Sequence, residues 1–385
     1  MKLIQWYEDK GFTSVGEGVN TLKEELGIRV KKYPEEGLYV FNYDQIASPK
    51  THPVVMECRG LILAEDFTIV CRPFERFFKL GEALNITQDF NIEDAYIFEK
   101  ADGSLVKLYY WNDSWRVGTR GTAFAEVENY TGQIFQDMIV KAFGCHDLEE
   151  LNDILEGDSA YVNRGNTYLF EFISPENRVV TPYSEPKMVY LGSKNNTTGE
   201  EGMCTHYHAR AFSGAGLNVR APDFWSKSSI GDVKKFVNSL KDLQEGVVAW
   251  DKKSGLRVKV KSDHYVAVHR LRGELVPSQK NIMELVVTNE TDEYLTYFPE
   301  EKGRFEPIAD AWDHLQVAVG LNEAEYFFIE DQKEFALKIK NRIWKSVLFT
   351  ARKSGKRAIE VLHSLDPVKK VRMLQQYMEI IDNDA

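Results

Sequence analysis

Residues 96–110 read Tyr-Ile-Phe-Glu-Lys-Ala-Asp-Gly-Ser-Leu-Val-Lys-Leu-Tyr-Tyr, and no other stretch limits the fold as sharply. Apolar and aromatic residues lead in at Tyr96, Ile97 and Phe98 and lead out at Leu105, Val106, Leu108 and Tyr109. Between them lies the polar segment Lys100-Ala101-Asp102-Gly103-Ser104. A β-prone run broken by Asp-Gly predicts a strand, a tight bend and a second strand. The bend sets Lys100 at a strand end, beside a glycine that lets a ligand approach the backbone. An amine held there can act as a nucleophile once its charge is removed. Taken alone, the same residues also describe a hairpin with a solvated lysine, so partners elsewhere in the chain must decide.

Several other apolar runs carry charges that need explaining. Val54 to Leu63 predicts a strand interrupted by Glu57-Cys58-Arg59-Gly60. The run Ile69 to Leu80 sets Arg72, Arg76 and Lys79 among Phe74, Phe77 and Phe78. Cations among aromatic faces can clamp a purine and its phosphates, or the rings can simply be core. Arg120 closes a return strand, Trp115 to Thr122. Thr167 to Ser174 is an apolar strand with Glu171 between Phe170 and Phe172. Alternation puts that carboxylate at an edge or in a polar cavity. A hairpin follows, from Glu245-Gly246 to Trp250 and back from Leu256 to Lys261. Its second arm turns Val258 and Val260 one way and Arg257, Lys259 and Lys261 the other. Three cations on one face repel unless an anion or solvent lies above them.

The rest of the chain frames these residues. Val127, Tyr130, Ile134, Phe135 and Met138 recur at helical spacing, so 125–156 is predicted helical. Residues 193–230 are loop-rich and hold a Cys204, His206, His208 cluster that lacks an obvious fourth zinc ligand. From about Asn281 the period becomes helical. Phe335, Ile339, Ile343 and Val347 form one stripe of a long helix that Gly355 ends. The prediction is a mixed α+β domain over 1–278 and an all-α domain over 279–385.

Composition adds limits. The chain is 43% hydrophobic and 28% charged, ordinary for a soluble globular protein. No apolar run approaches the ~18–20 residues needed to span a bilayer, and the N-terminus has no secretory pattern. Four scattered cysteines, without CxxC spacing, suggest a cytosolic protein with free thiols. The net charge of -11 does not announce a nucleic-acid binder. Yet residues 331–372 carry twelve Lys/Arg against four acids, a basic face able to engage phosphates or simply solvent.

In order and spacing, the charged residues resemble the motif set of covalent nucleotidyltransferases: KxDG at Lys100 to Gly103, an acidic strand at Glu171-Phe172, EG at Glu245-Gly246 and KxK at Lys259 to Lys261. The flanking ECRG at 57–60, ERFFKL at 75–80 and SDHYVAVH at 262–269 resemble the phage RNA ligase 1 family, the T-even type of tRNA-repair ligase. The resemblance covers roughly residues 38–270. Arg120 departs from it, since lysine is expected there.

That resemblance implies an ATP-grasp-like ligase fold of antiparallel sheets flanked by helices, then a helical domain for RNA-substrate specificity. It implies an ATP-dependent RNA ligase joining 5′-phosphate and 3′-hydroxyl ends, with nicked tRNA as substrate and an end-healing kinase/phosphatase upstream. Lys100 would be the nucleophile. Arg59, Lys79, Phe77, Asp102, Gly103, Arg120, Glu171, Phe172, Glu245, Gly246, Lys259, Lys261 and Tyr265 would surround the nucleotide. Glu171 and Glu245 would hold Mg²⁺ or Mn²⁺, directly or through water. Lys259, Lys261 and the metal are expected to disfavour the charged form of Lys100. A DNA ligase or capping enzyme usually carries a small β-barrel after KxK, where this chain turns helical. A non-catalytic RNA-binding protein on the same scaffold is disfavoured, because nucleophile, acids and cations are all present.

Overall fold

The structure, a computed structural model, describes residues 1–385 except 129–131, 158–161, 203–205, 227–228, 242, 273–276 and 385. The chain divides into two compact units, Met1–Ala267 and Val268–Ala385, N-terminal of the expected division after 278.

Three sheets build the first unit. The first is wholly antiparallel: β1 (Ile28–Tyr33), β2 (Leu38–Tyr43), β3 (Arg59–Ala64) and β4 (Ile69–Cys71) lie in that order. The third sheet contains β5 (Phe78–Lys79) and β6 (Ala95–Glu99), joined by later strands. The second sheet is built on β7 (Ser104–Trp111), β8 (Ser114–Thr119), β9 (Asn166–Ile173), β10 (Lys187–Asn195) and β11 (Glu201–Gly202), with β12 (Val219–Arg220) parallel to β10. Strands β13 (Phe224–Trp225), β14 (Gly246–Asp251) and β15 (Arg257–Lys261) complete the third sheet in the order β13-β6-β14-β15-β5.

Lys100 therefore stands where the chain leaves the third sheet on β6 and enters the second on β7. The first sheet is buried on both sides, Phe41 and Leu63 in one cluster and Val40 and Ile62 in another, while the other two pack a face on helices. Val106, Leu108, Phe170 and Phe172 of the second sheet pack with Met138, Ile139 and Phe143 of the helical region after Ile134. Ile97, Val247, Ala249 and Val258 of the third sheet pack on Val233 and Val237 of the helix Ile230–Asn238. At about 25 cal/mol per Å² of apolar surface, such faces supply most of the drive to fold.

Some expected elements differ. Val54 and Val55 lie in a short helix, Pro53–Glu57, because Pro53 is at its first turn and pre-sets helical φ. The strand begins only at Arg59. The predicted helix over 125–156 is instead two helices, Phe135–Ala142 and Leu148–Glu156; Ile134 is extended, and Tyr130 lies outside the described residues. The helix His206–Gly214 occupies part of the expected loop at 193–230.

The second unit is all helical among the described residues, from Gln279–Val287 to Pro367–Asp384. The predicted stripe through Phe335, Ile339, Ile343 and Val347 is broken into Gln332–Ile339 and Lys345–Ser354. Phe335, Ile339 and Val347 are buried all the same. Gly355 does end its helix, in the left-handed conformation that glycine adopts without strain. Most of the twelve cations between 331 and 372 are exposed. No described helix is long and apolar enough to cross a membrane.

Candidate active site

The β6–β14 pairing extends one residue past β6. The Lys100 backbone N–H donates to the Gly246 carbonyl at 3.0 Å, which fixes the nucleophile beside β14. Alternation then turns Lys100 to the same sheet face as Phe98, while Glu99 turns away and makes a two-pronged pair with Arg220 at 2.6 and 2.8 Å. Lys100 Nζ donates to Glu245 Oε2 at 2.5 Å, and Lys261 Nζ lies 2.7 Å from Glu245 Oε1. One carboxylate, only 3% exposed, thus joins two ammonium groups from different strands.

This pairing corrects the expected electrostatics of the nucleophile. Burial favours the neutral amine, but Glu245 and Glu171 outweigh it and hold the Lys100 pKa above the ordinary lysine value. Burial likewise opposes ionisation of Glu245, and Lys100 and Lys261 overcome it. Without a nucleotide, Lys100 is an ammonium ion waiting to lose a proton. Lys259 behaves as expected: burial first, then Lys100, Arg59, Arg76 and Lys261, push it down to about 8.

Glu171 faces the same group from β9, opposite Leu105 of β7. Its Oε1 accepts the Gly103 N–H at 3.2 Å. Burial, with Glu245 and Asp102, raises its carboxyl to about 7 despite Lys100 and Arg59. Two glycines allow these approaches. A Cβ on Gly103 would lie 2.1 Å from the Phe172 carbonyl oxygen, and one on Gly246, at φ +142°, would lie 2.1 Å from that of Val260.

A second group surrounds Tyr43. The guanidinium carbons of Arg76 and Arg120 each stand 5.0 Å from its ring centre, and Arg76 Nη1 donates to its hydroxyl at 2.8 Å. Burial alone would raise Tyr43, but Arg120, Arg76 and Arg59 hold it below its usual pKa. Phe77 lies between Arg59 and Lys259, 5.6 Å from each. Among the described residues, the closest carboxylate to Arg76 is Glu82 at 4.0 Å, and its buried Nε has no acceptor. Cations outnumber carboxylates here, a balance that suits an anion.

The structure thus gathers Lys100, Gly103, Glu171, Glu245, Gly246, Lys259, Lys261, Arg59, Phe77 and Arg120. It places four expected residues differently. Asp102 is buried and accepts from the Val180 and Thr181 N–H groups at 2.8 Å each and from the Tyr265 hydroxyl at 2.6 Å. Asp102 and Tyr265 therefore lock the bend that carries Lys100. Phe172 is fully buried in the core of the second sheet, because its neighbour Glu171 takes the other face. Lys79 is exposed on β5, in register with Lys259.

Arg76 and Tyr43 belong to the site and are not among the residues expected to bind nucleotide. The sequence signal for Arg76 was its place among the cations set between Phe74, Phe77 and Phe78; Tyr43 carried none. Lys107 was hidden inside the apolar run of β7. It is fully buried, is pushed to about 8 chiefly by burial, and donates to the Gly60 carbonyl at 2.7 Å, bracing the strand that carries Arg59.

A divalent cation fits only part of the expected pair. Both Glu245 oxygens are engaged by lysines, whereas Glu171 Oε2 has no protein partner among the described residues. No cluster of three or more His, Cys, Asp or Glu able to hold a metal occurs among the described residues. Cys204 lies outside them, and His206 and His208 sit two apart on one helix, facing different directions.

Glu171 gives a testable pH dependence. Its folded pKa is raised, so between about 4.5 and about 7 the folded chain binds more protons than the unfolded one. The stability from its protonated form is full below pH 4.5 and is lost as pH rises through 7. Glu171→Gln should match the parent's Tm near pH 4.5 and exceed it at pH 8.5, by on the order of 1–3 kcal/mol in stability. Thermal melts across that range check this; a gap that does not grow with pH refutes it.

The chain matches the RNA ligase family model over residues 57–265, more than half its length. It is 30% identical over 380 residues to a protein named as a bifunctional polynucleotide kinase/RNA ligase from Autographa californica nuclear polyhedrosis virus, covering 94% of this chain and 52% of the relative. It is 25% identical over 345 residues to an RNA ligase of Rhodothermus phage RM378, covering 74% of each. It is also 25% identical over 213 residues to RNA ligase 1 of bacteriophage TS2126, covering 52% of this chain and 48% of that one. The chain spans about half the length of the baculovirus relative.

Proposed function

The chain belongs to the RNA ligase family, and we propose that it seals RNA 5′-phosphate and 3′-hydroxyl ends at the expense of ATP. The observation that carries this reading is the amine of Lys100, held by Glu245 beside a cluster of cations that includes Arg59, Arg76, Lys259 and Lys261.

In the first transfer Lys100 Nζ bonds to the α-phosphorus of ATP. The bond from that phosphorus to the bridging oxygen breaks, and pyrophosphate leaves with the electron pair. Arg59, Arg76, Arg120, Lys259 and Lys261 offset the phosphate charge, which grows on the departing side. Lys100 must first give up a proton. Glu171, titrating near neutral pH, is suited to take part in that exchange. Mg²⁺ or Mn²⁺ held by Glu171 would supply positive charge that favours the neutral amine and steadies the α-phosphate. AMP then passes to the RNA 5′-phosphate, and the 3′-hydroxyl of the other end displaces it.

The exposed cations of residues 331–372 support a role for the helical unit in holding RNA. We place the substrate among broken tRNAs, with an end-healing kinase/phosphatase acting first. The baculovirus relative's name couples a polynucleotide kinase to an RNA ligase. Buried, unpaired Cys58, Cys71 and Cys145 suit a reducing cytosol.

The test is sealing of 5′-phosphorylated single-stranded RNA, nicked tRNA and nicked duplex DNA with ATP and Mg²⁺. Both RNAs should be joined, and nicked tRNA most readily. Equal or faster joining of the DNA nick would overturn the assignment to RNA.

A further inference from the structure

The third sheet has one face in the core and one turned away from it. Paired residues on neighbouring strands share a face. The register sets Phe98 opposite both Phe224 and Val248, and Trp250 opposite both Tyr96 and Arg257. Trp225, the neighbour of Phe224, goes to the core side and packs on Phe236 at 4.8 Å. Four aromatic rings are thus gathered on the face that also bears Lys259 and Lys261. Phe224 lies 5.6 Å from both Phe98 and Tyr96, and Tyr96 lies 6.3 Å from Trp250.

A protein layer normally covers such a cluster, but Phe224 remains 45% exposed. The Trp250 indole N–H is buried without an acceptor among the described residues, a donor that needs explaining. Cations border the rings. Lys252 Nζ is 5.3 Å from the Tyr96 ring centre, and the Arg257 guanidinium is 5.1 Å from that of Trp250. Lys252 is exposed and has no carboxylate partner among the described residues.

We propose that this aromatic face is a base-stacking platform for the single-stranded RNA whose end reacts at Lys100. The proposal rests on the RNA ligase reading and names how that site holds its second substrate. Phe98 is two residues from Lys100, about 7 Å along an extended strand. A base stacked there lies next to the reacting end. The rings span three strands, about 10 Å, and one two-residue step, so the platform accommodates more than a single base. Stacking accepts any base, which suits an enzyme that must join varied sequences. Lys252 at the rim matches the backbone charge that accompanies stacked bases, which an apolar peptide would lack, whereas Arg257 is held by Glu201.

The experiment measures binding of a labelled single-stranded RNA 10-mer with a 3′-hydroxyl to the full chain, without ATP. A second 10-mer is abasic at its last three positions. The parent should prefer the base-bearing strand by about tenfold. Phe224→Ala should erase that preference and leave abasic RNA binding unchanged; Phe224→Trp should restore it. The KM for ATP in lysyl-adenylate formation should be the same in Phe224→Ala as in the parent. An unchanged preference in Phe224→Ala overturns the proposal. So does a raised KM for ATP, which would make this face the seat of the ATP base. If the parent takes no label from ATP, the ligase reading fails, while the binding comparison still decides whether the face stacks bases.

Discussion

Lys100→Ala should take no covalent label from α-labelled ATP while remaining folded. Lys261 shares the Glu245 carboxylate, but it enters from another strand. Lys259 and Lys261 lie on β15, across β14 from β6. The loss of stability should be small, on the order of 1–2 kcal/mol, because Glu245 keeps Lys261 as a partner. Lys100→Arg sharpens the test. It keeps the charge and can keep the Glu245 pair, but a guanidinium does not deprotonate and cannot attack. It should therefore melt close to the parent and remain unlabelled. Both variants should still seal RNA supplied with a 5′-adenylate, since the lysine is not needed once AMP is on the RNA. Denaturing gels after labelling, and sealing of adenylated RNA, measure the two halves separately. A labelled Lys100→Ala protein would place the nucleophile elsewhere and remove the basis of the proposed reaction.

Much of this site was legible because strands leave a regular trace. Period-two alternation correctly placed Glu171 away from Phe170 and Phe172, and set Val258 apart from Lys259. The pairing of strands was not legible. Sequence put Lys100 and Lys261 in one neighbourhood but could not show that Glu245 comes between them, which reverses the sign of the lysine's electrostatics. Asp102 was expected beside the nucleotide only because it belongs to the KxDG resemblance. Only the fold shows that two backbone N–H groups and the Tyr265 hydroxyl consume its oxygens. Helical periodicity was weakest where chain breaks carry no proline or glycine, as between Ile339 and Lys345. There Phe335 and Val347 are buried from two helices as well as they would be from one.

Glu245→Gln should lower both stability and adenylylation, unlike Lys100→Arg, which should lose labelling alone. The amide can accept from one lysine but carries no charge, so two buried ammonium groups lose their shared counter-ion. Removing one member of such a buried set costs about 3 kcal/mol or more, a fall in Tm of about 6–10 °C for a unit of this size. The sign of the pH dependence follows from Lys100. Its pKa is raised by Glu245 in the parent, so the stabilisation is full below the unfolded lysine value and fades only as pH rises through the folded one. The Tm gap between parent and variant should therefore hold from neutral pH up to the ordinary lysine value of 10.5 and narrow only above it. Adenylylation should fall by about 100-fold at pH 7.5, as expected when a nucleophile loses its positioning partner. Adding Lys261→Met should return much of the stability, because one of the repelling charges is gone, but not the labelling, because a phosphate-facing cation is gone as well. A Glu245→Gln protein that melts and labels like the parent would show that this carboxylate does not join the two lysines in solution.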